Sequence, residues 1–338
     1  MRKGIAVAGN MIVDHLKVIR TFPQRNELVK IDSMSYTLGG AVNNVAQDLA
    51  RLDPELPLSV IGMVGCDAEG DAILRTLGQY KNIDLSRVVR EGQTSTTDVL
   101  SEEAISARTF LMFPGASALL GRRHFDLDNL DCALFYIGYI LLLDELDAPD
   151  DEYGTQMAHL LHDVKARGIP TAVDVVSEVG DRFARVVPPS LPYTDYLVVN
   201  EIEGGRTAGI ELRDGGDQLL IDRVPEALAA LKRMGVGRWA VIHAPEGGFG
   251  IDERGQYVAV PGARLPRGFI AGTVGAGDAF CAGVLHAAWR GDGLTQAIED
   301  GIACAVSSLR AANASDGVMP LSEMRGLLST LPRRALSR

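Results

Sequence analysis

Short apolar runs punctuate this chain at intervals that leave room for a helix between them. GIAVAG (4–9), LPLSVIGMVG (56–65), CALFYIG (132–138), IPTAVDVV (169–176), YLVVN (196–200) and RWAVIHA (238–244) are β-rich and bounded by turn formers. They run continuously apolar instead of alternating with polar residues, the pattern of strands buried on both faces. The stretches between them carry a helical period. Val45, Leu49 and Leu52 share one helical face, and so do Ile298, Ile302, Ala305, Val306 and Leu309. Doubly buried strands alternating with helices predict an α/β fold, a mostly parallel sheet with helices on both faces.

Two stretches break the rhythm, about 12–37 and 95–113. Their segments LVKIDSMSYT, TSTTDVL and ISARTFLMF mix polar and β-branched residues without a helical period. They are expected to form a small β-sheet standing off the main one as a lid. With no internal repeat, low-complexity tract or linker, residues 1–338 read as one domain carrying this excursion.

Composition removes several function classes. A net charge of −11 disfavours a nucleic-acid partner held through phosphates. No apolar stretch approaches the length of a membrane span, and the first apolar run ends at Asp14, as a strand would rather than a signal peptide. A cytoplasmic location is the expectation. Cys66, Cys132, Cys281 and Cys304 are scattered, without a CxxC pair or histidines at zinc-ligand spacing. They are expected to be reduced and mostly buried, and His159 and His162 to lie on a solvated helix face.

In a parallel α/β sheet, ligands bind beyond the carboxyl ends of the strands. Asp14 follows the first strand; Gly39-Gly40 opens a helix bearing Asn43 and Asn44; Asn200, Glu201 and Glu203 follow YLVVN; His243 and Gly247-Gly248 follow RWAVI. Each has a structural explanation as well, as a turn or helix cap, a tight turn, a hairpin or a core histidine. FIAGTVGAGDAFCAG (269–283) is harder to explain by structure alone. Phe280, Val284 and Ala287/Ala288 fall on one helical face and Gly291 ends it, so a helix starts within Gly275–Asp278. Small residues there let a ligand approach the unpaired N–H groups, whose dipole attracts an anion. Asp278 beside them is placed to take a proton from an attacking hydroxyl. A phosphate cradle with a general base is what phosphoryl transfer to an alcohol requires.

TVGAGDAF resembles the DTxGAGD signature of the ribokinase-like, or pfkB, carbohydrate kinase family. Gly39-Gly40-x-x-x-Asn44 is similar to that family's sugar-site signature, and Asn200-x-x-Glu203 to its NxxE motif. The resemblance runs from residue 4 to about 320, and neither a GxxxxGK[ST] loop nor a protein-kinase motif set is present. It implies ATP and Mg²⁺ as cofactors, a Rossmann-like sheet with a β lid, and a homodimer joined through lids. Asp278 would be the catalytic base, and Gly275, Ala276 and Gly277 the anion hole. Asp14, Gly39, Gly40 and Asn44 would hold the acceptor's hydroxyls, with Arg108 and TFLMFPGAS (109–117) reaching in from the lid. Met112 and Phe113 there are expected to seal the lid, with stacking on a sugar face or a nucleobase as the alternative. Asn200 and Glu203 would act on magnesium and phosphate, Glu203 through water; His243 and Gly248 lie where the nucleotide loop runs, and Asn313 on the adenine side.

Two positions depart from the family pattern. Gly272 stands where the first aspartate of DTxGAGD belongs, so potassium dependence is expected to be weak, and Pro245 replaces a usual glycine of the nucleotide loop. The acceptor implied first is a sugar or sugar-like polyol, with a nucleoside as the alternative. A catalytically idle binding protein is the third reading, disfavoured by the retained Asp278.

Overall fold

The computed structural model describes residues 3–102, 107–178 and 180–336. In chain order the strands are β1 (Ile5–Gly9), β2 (Ile12–Ile19), β3 (Ile31–Gly39), β4 (Leu58–Val64), β5 (Ile83–Arg90), β6 (Ser95–Glu102), β7 (Ala107–Phe113) and β8 (Leu134–Ile140). They continue as β9 (Pro149–Asp150), β10 (Gly154–Thr155), β11 (Thr171–Val175), β12 (Tyr196–Asn200), β13 (Trp239–Ala244), β14 (Gly247–Ile251) and β15 (Tyr257–Pro261). Nine of them form one sheet in the order β15-β14-β13-β12-β11-β8-β1-β4-β5. Every neighbouring pair from β5 to β13 is parallel, and the antiparallel β13-β14-β15 edge closes the other end.

Each apolar run read from the sequence lies in this sheet, and the reason is visible in β1. Ile5 and Val7 point into one core, Ala6 and Ala8 into the other, and all four are buried. Helices Ala41–Leu52, Ala276–Arg290, Leu294–Ser308 and Leu321–Thr330 cover the first face; Gln156–Ala166 and Val224–Arg233 cover the second. None of the four cysteines is in a disulfide; Cys132, Cys281 and Cys304 are buried, and Cys66 is exposed. His159 and His162 sit one turn apart on Gln156–Ala166, with Tyr153 packed against both rings at 4.3 and 4.6 Å.

The stretches 12–37 and 95–113 come together in a second sheet of four strands, ordered β3-β2-β6-β7. Parallel pairing of β2 with β6 joins them, and each carries its own antiparallel partner. Because side chains alternate across a strand, register decides what faces the main body. Asp14 shares a rung with Thr37, Thr97 and Met112. The next rung, His15, Tyr36, Asp98 and Leu111, points the other way. Phe113 pairs with Thr96 and so lies on the face opposite Met112. The two residues expected to act together in sealing the site are therefore separated by the pleat.

A polar knot fixes the root of this sheet. The Asn10 side chain accepts from the Ala41 N–H at 2.9 Å, and Asn43 donates to the Gly39 carbonyl at 2.7 Å. Ser117 Oγ accepts from the Met11 N–H at 3.2 Å, while the Ser117 N–H donates to Ser95 Oγ at 3.0 Å.

Candidate active site

Helix Ala276–Arg290 starts from Gly275, whose φ of 75° is left-handed and whose Cα has Ala314 against it: a Cβ there would meet Ala314 Cα at 2.7 Å. Only glycine fits such a position. The first intrahelical bond is Ala279 N–H to Gly275 C=O, at 2.8 Å, so the N–H groups of Ala276, Gly277 and Asp278 have no carbonyl of their own helix. They border a cavity of about 250 Å³ that is also lined by Tyr139, Asp174, Ser177, Asn200, Glu203 and His243.

Asp278 is buried at its edge. Asn44 donates to Asp278 Oδ2 at 2.9 Å and the Tyr139 hydroxyl to Oδ1 at 2.7 Å. Burial lifts the carboxyl from 3.8 to about 6; the two hydrogen bonds oppose the rise and the Asp14 carboxylate adds to it. The base expected from the sequence is thus held by two donors on different elements, helix Ala41–Leu52 and the end of β8.

Asp14 stands on β2 with its carboxylate pressed against Gly39, where any Cβ would collide with it. This explains the first glycine of the pair. Burial raises the Asp14 carboxyl, opposed by the Thr97 side chain and His15. Gly40 begins helix Ala41–Leu52 at φ 85°, and the helix turns Asn44 toward Asp278.

Asn200 and Glu203 form a reciprocal cap on helix Glu201–Ala208. Glu203 N–H donates to Asn200 Oδ1 at 2.8 Å, and Asn200 N–H to Glu203 Oε2 at 3.0 Å. The cap leaves Glu203 Oε1 facing Ser177, whose hydroxyl donates at 2.8 Å. Burial pushes Glu203 up to about 7, against the bonds from Asn200 and Ser177 and with help from the Asp278 charge. The pair caps the helix and lines the cavity at the same time.

His243 is buried, its ring 4.8 Å from that of Phe280, and desolvation lowers its pKa to about 4, so it is neutral at pH 7. It separates the polar cavity from a neighbouring slot of about 370 Å³. That slot is walled largely by apolar side chains, among them Phe280, Ile302, Val306 and Leu309. Its size and apolar walls suit a flat heterocycle.

Four expectations are modified. The turn after β13 is Pro245-Glu246, not the glycine pair, and Pro245 lines the apolar slot. Gly248 lies in β14 against Ile298 and Phe280, where a side chain has no room; it serves packing between sheet and helices. The Asn313 side chain caps its own turn, donating to Asp316 Oδ2 at 2.6 Å and accepting from the Asp316 N–H at 3.0 Å, and is not part of the slot's lining. Arg108 pairs with Ser101, which pairs with Val18, four residues along β2 from Asp14, and it is exposed. Gly272 has a steric reason too: a Cβ would sit 2.7 and 2.8 Å from the Ala311 and Ala312 carbonyls.

Three residues escaped the sequence reading. Tyr139 sits in an apolar run as an ordinary strand residue, although it is at the carboxyl end of β8, where ligands bind. Asp174, a lone carboxylate within the apolar run TAVDV, was the stronger signal, since a charge is costly in a doubly buried strand. It is buried, accepts from the Tyr136 hydroxyl at 2.8 Å, and is pushed well above the usual carboxylate range by burial and the Asp278 charge. Ser177 follows the same strand and bridges Glu203 and Asn200.

Comparison with known proteins bears on what this geometry does. The family model described as pfkB family carbohydrate kinase matches residues 2–320. The chain is 25% identical over 313 residues to a 2-dehydro-3-deoxygluconokinase of Bacillus subtilis, covering 89% of this chain and 90% of that one. The structure of Arabidopsis thaliana ribokinase with ribose and ATP superposes with a TM-score of 0.79 at 19% identity, over 97% of this chain and 99% of that one. A putative ribokinase II of E. coli in complex with ATP and Mg²⁺ gives 0.74 at 17% identity, over 97% and 99%. Both likenesses establish the ribokinase-like fold.

Proposed function

The chain belongs to the pfkB family of carbohydrate kinases, and from that premise we propose that it transfers the γ-phosphoryl group of ATP to a hydroxyl of a small sugar or sugar-like polyol, with Asp278 as general base. One observation carries this reading: a buried carboxylate, held by Asn44 and Tyr139, stands in the first turn of a helix whose free N–H groups border the same cavity. Asp14, Gly39, Gly40 and Asn44 bind the acceptor. Its hydroxyl passes the proton to Asp278 as the oxygen bonds to the γ-phosphorus, and the bond from that phosphorus to the bridging oxygen breaks, releasing ADP. The N–H groups of Ala276 and Gly277 stabilise the charge of the transferring group. The adenine occupies the apolar slot beside His243, Pro245 and Phe280.

Mg²⁺ keeps several waters and takes few protein carboxylates. Glu203, and Asp174 with its buried, unpartnered Oδ1, fit an ion brought in with its nucleotide. Among the described residues no cluster of three or more His, Cys, Asp or Glu forms a metal cage. When bound, Mg²⁺ would neutralise phosphate charge. The four-stranded sheet acts as the lid over the acceptor, with exposed Tyr36, Met34 and Leu111 meeting a second copy in a homodimer. No described helix is long and apolar enough to cross a membrane, which accords with a cytoplasmic enzyme.

The test is a thermal scan with MgATP, followed by ADP release in a panel of sugars, polyols, nucleosides and 2-dehydro-3-deoxygluconate. At 100 times its Kd the nucleotide adds about 2.7 kcal/mol to folding stability. An unmoved melting curve together with no acceptor-dependent ADP release sinks the proposal.

A further inference from the structure

We propose that Arg213 is a positioning residue for the donor nucleotide. Acting through Glu201 and Glu246, it holds together the rim of the apolar slot beside His243. The inference rests on the kinase reading above and deepens its donor side.

Three segments far apart in sequence contribute to that rim. They are Glu201 at the start of its helix, Ala244 and Pro245 at the turn between β13 and β14, and Gly262 just after β15. Arg213 ties the first two. Its Nε donates to Glu201 Oε1 at 2.6 Å, and its two terminal nitrogens donate to the two carboxylate oxygens of Glu246, each at 3.2 Å. Two parallel bonds between planar groups fix orientation as well as distance. The third segment is tied through the same glutamate, since the Gly262 N–H donates to the Glu246 carbonyl at 2.8 Å. A Cβ on Gly262 would meet the Pro245 and Glu246 carbonyls at 2.9 and 3.0 Å, so the two segments are in direct contact.

Arg213 is itself anchored. It stands in a short hairpin closed by Leu220 N–H to the Leu212 carbonyl at 2.8 Å and Asp214 N–H to the Gln218 carbonyl at 3.0 Å. Its guanidinium also donates to the Asp217 carbonyl at 2.7 Å. The Asp217 carboxylate, 3.7 Å from Nε, is exposed and adds little. The Arg213 and Glu201 side chains are largely withdrawn from water, where charge-assisted bonds are strongest. Pro245 gives the tie its purpose. A proline ring fixes φ at about −65°, so the turn cannot bend there to meet a base. The stiffened turn moves as a unit, and the pair of Arg213 with Glu246 sets where that unit rests.

The experiment is calorimetric titration with MgATP, together with steady-state kinetics in both substrates. Arg213→Met keeps an unbranched stem, removes every donor and leaves the Glu201 and Glu246 carboxylates uncompensated. If the rim is then assembled about a tenth of the time, apparent affinity falls by that fraction. The expected result is a Kd and a KM for MgATP raised about tenfold, with kcat and the acceptor's KM within about twofold of wild type. Arg213→Lys keeps the charge without the fork and should fall between the two; it also serves if the methionine variant does not fold. Unchanged MgATP affinity in the variants overturns the inference. So does a fall in kcat or a parallel rise in both KM values, the mark of general loosening. If the wild-type protein binds no MgATP, the kinase reading fails and the inference with it, whereas wild-type binding that the variants share defeats the inference alone.

Discussion

β1 and β3 are both strands, yet they differ in vocabulary and end in opposite circumstances: β1 is wholly apolar (IAVAG), whereas β3 sets Met34 and Tyr36 among polar residues (IDSMSYTLG). β1 is buried along its whole length, with a core on each side. β3 leaves Met34 70% and Tyr36 75% exposed. At the opposite edge of the same sheet, β7 leaves Phe110 63% and Leu111 56% exposed. In the main sheet, helices on both faces remove apolar area from water, and each fully buried side chain contributes about 1.5–3 kcal/mol. The small sheet keeps comparable side chains in solvent. One region supplies stability and the rigid placement of Asp278; the other keeps apolar surface in solvent, which under the proposed function would meet substrate on one face and a second copy on the other.

The largest effect expected from this division is at Asp278. Asp278→Asn keeps the shape of a group on the rigid body and removes the base, so kcat should fall on the order of 10² to 10⁴ while nucleotide and acceptor still bind. If Asp278 were only a helix cap, asparagine would serve equally well and the rate would barely change. Steady-state kinetics with the true acceptor decides between them.

Next come paired substitutions in the two sheets' layers. Leu49→Ala, at a fully buried position on helix Ala41–Leu52, should cost roughly 2–5 kcal/mol in chemical denaturation. Leu111→Ser on the small sheet should change monomer stability by less than about 0.5 kcal/mol and instead weaken self-association, read by sedimentation. Equal losses of stability would erase the distinction drawn between the regions.

The smallest effect is a titration. Asp278 acts as a base only when ionised, so kcat/KM should drop about tenfold per pH unit below its pKa of about 6 and level off above. Stability runs the other way. The native carboxyl binds its proton more tightly than the unfolded one at 3.8, so the contribution is full below 3.8 and lost as pH rises through about 6. Asp278→Asn, uncharged throughout, should therefore gain stability relative to wild type between pH 4 and 7. A difference in unfolding free energy that stays flat across that range would show that burial does not strain this carboxylate.

The parallel strands were legible because doubly buried β runs tolerate little but apolar residues, and the GAGD turn because small residues at a helix start beside an aspartate combine an anion cradle with a base. Contacts between distant elements were not legible. Nothing near Tyr139 in sequence points to Asp278, 139 residues away, and the pairing depends on how β8 ends beside the helix. Pleat parity was hidden too: Met112 and Phe113 are neighbours in sequence and face opposite ways once Thr97 and Thr96 fix the register. Gly248 carries two readings in the sequence, because a missing side chain serves packing as readily as ligand approach, and the structure adds Ile298 and Phe280 packed against it.

The knot at Asn10, Ser95 and Ser117 makes the small sheet a lever with its fulcrum at one end. Asp14 is the third residue of β2 and lies roughly 7–10 Å from that pivot, whereas the far end of the strand is about 27 Å away. A swing of about 10° would carry the tip through nearly 5 Å and move Asp14 by under about 2 Å. Asp14 would therefore keep its distance to Asp278 through such a swing, while Arg108 and the outer apolar residues would sweep nearly the full arc. Under the proposed function, such an arm would open at its tip with the rung that carries Asp14 little displaced.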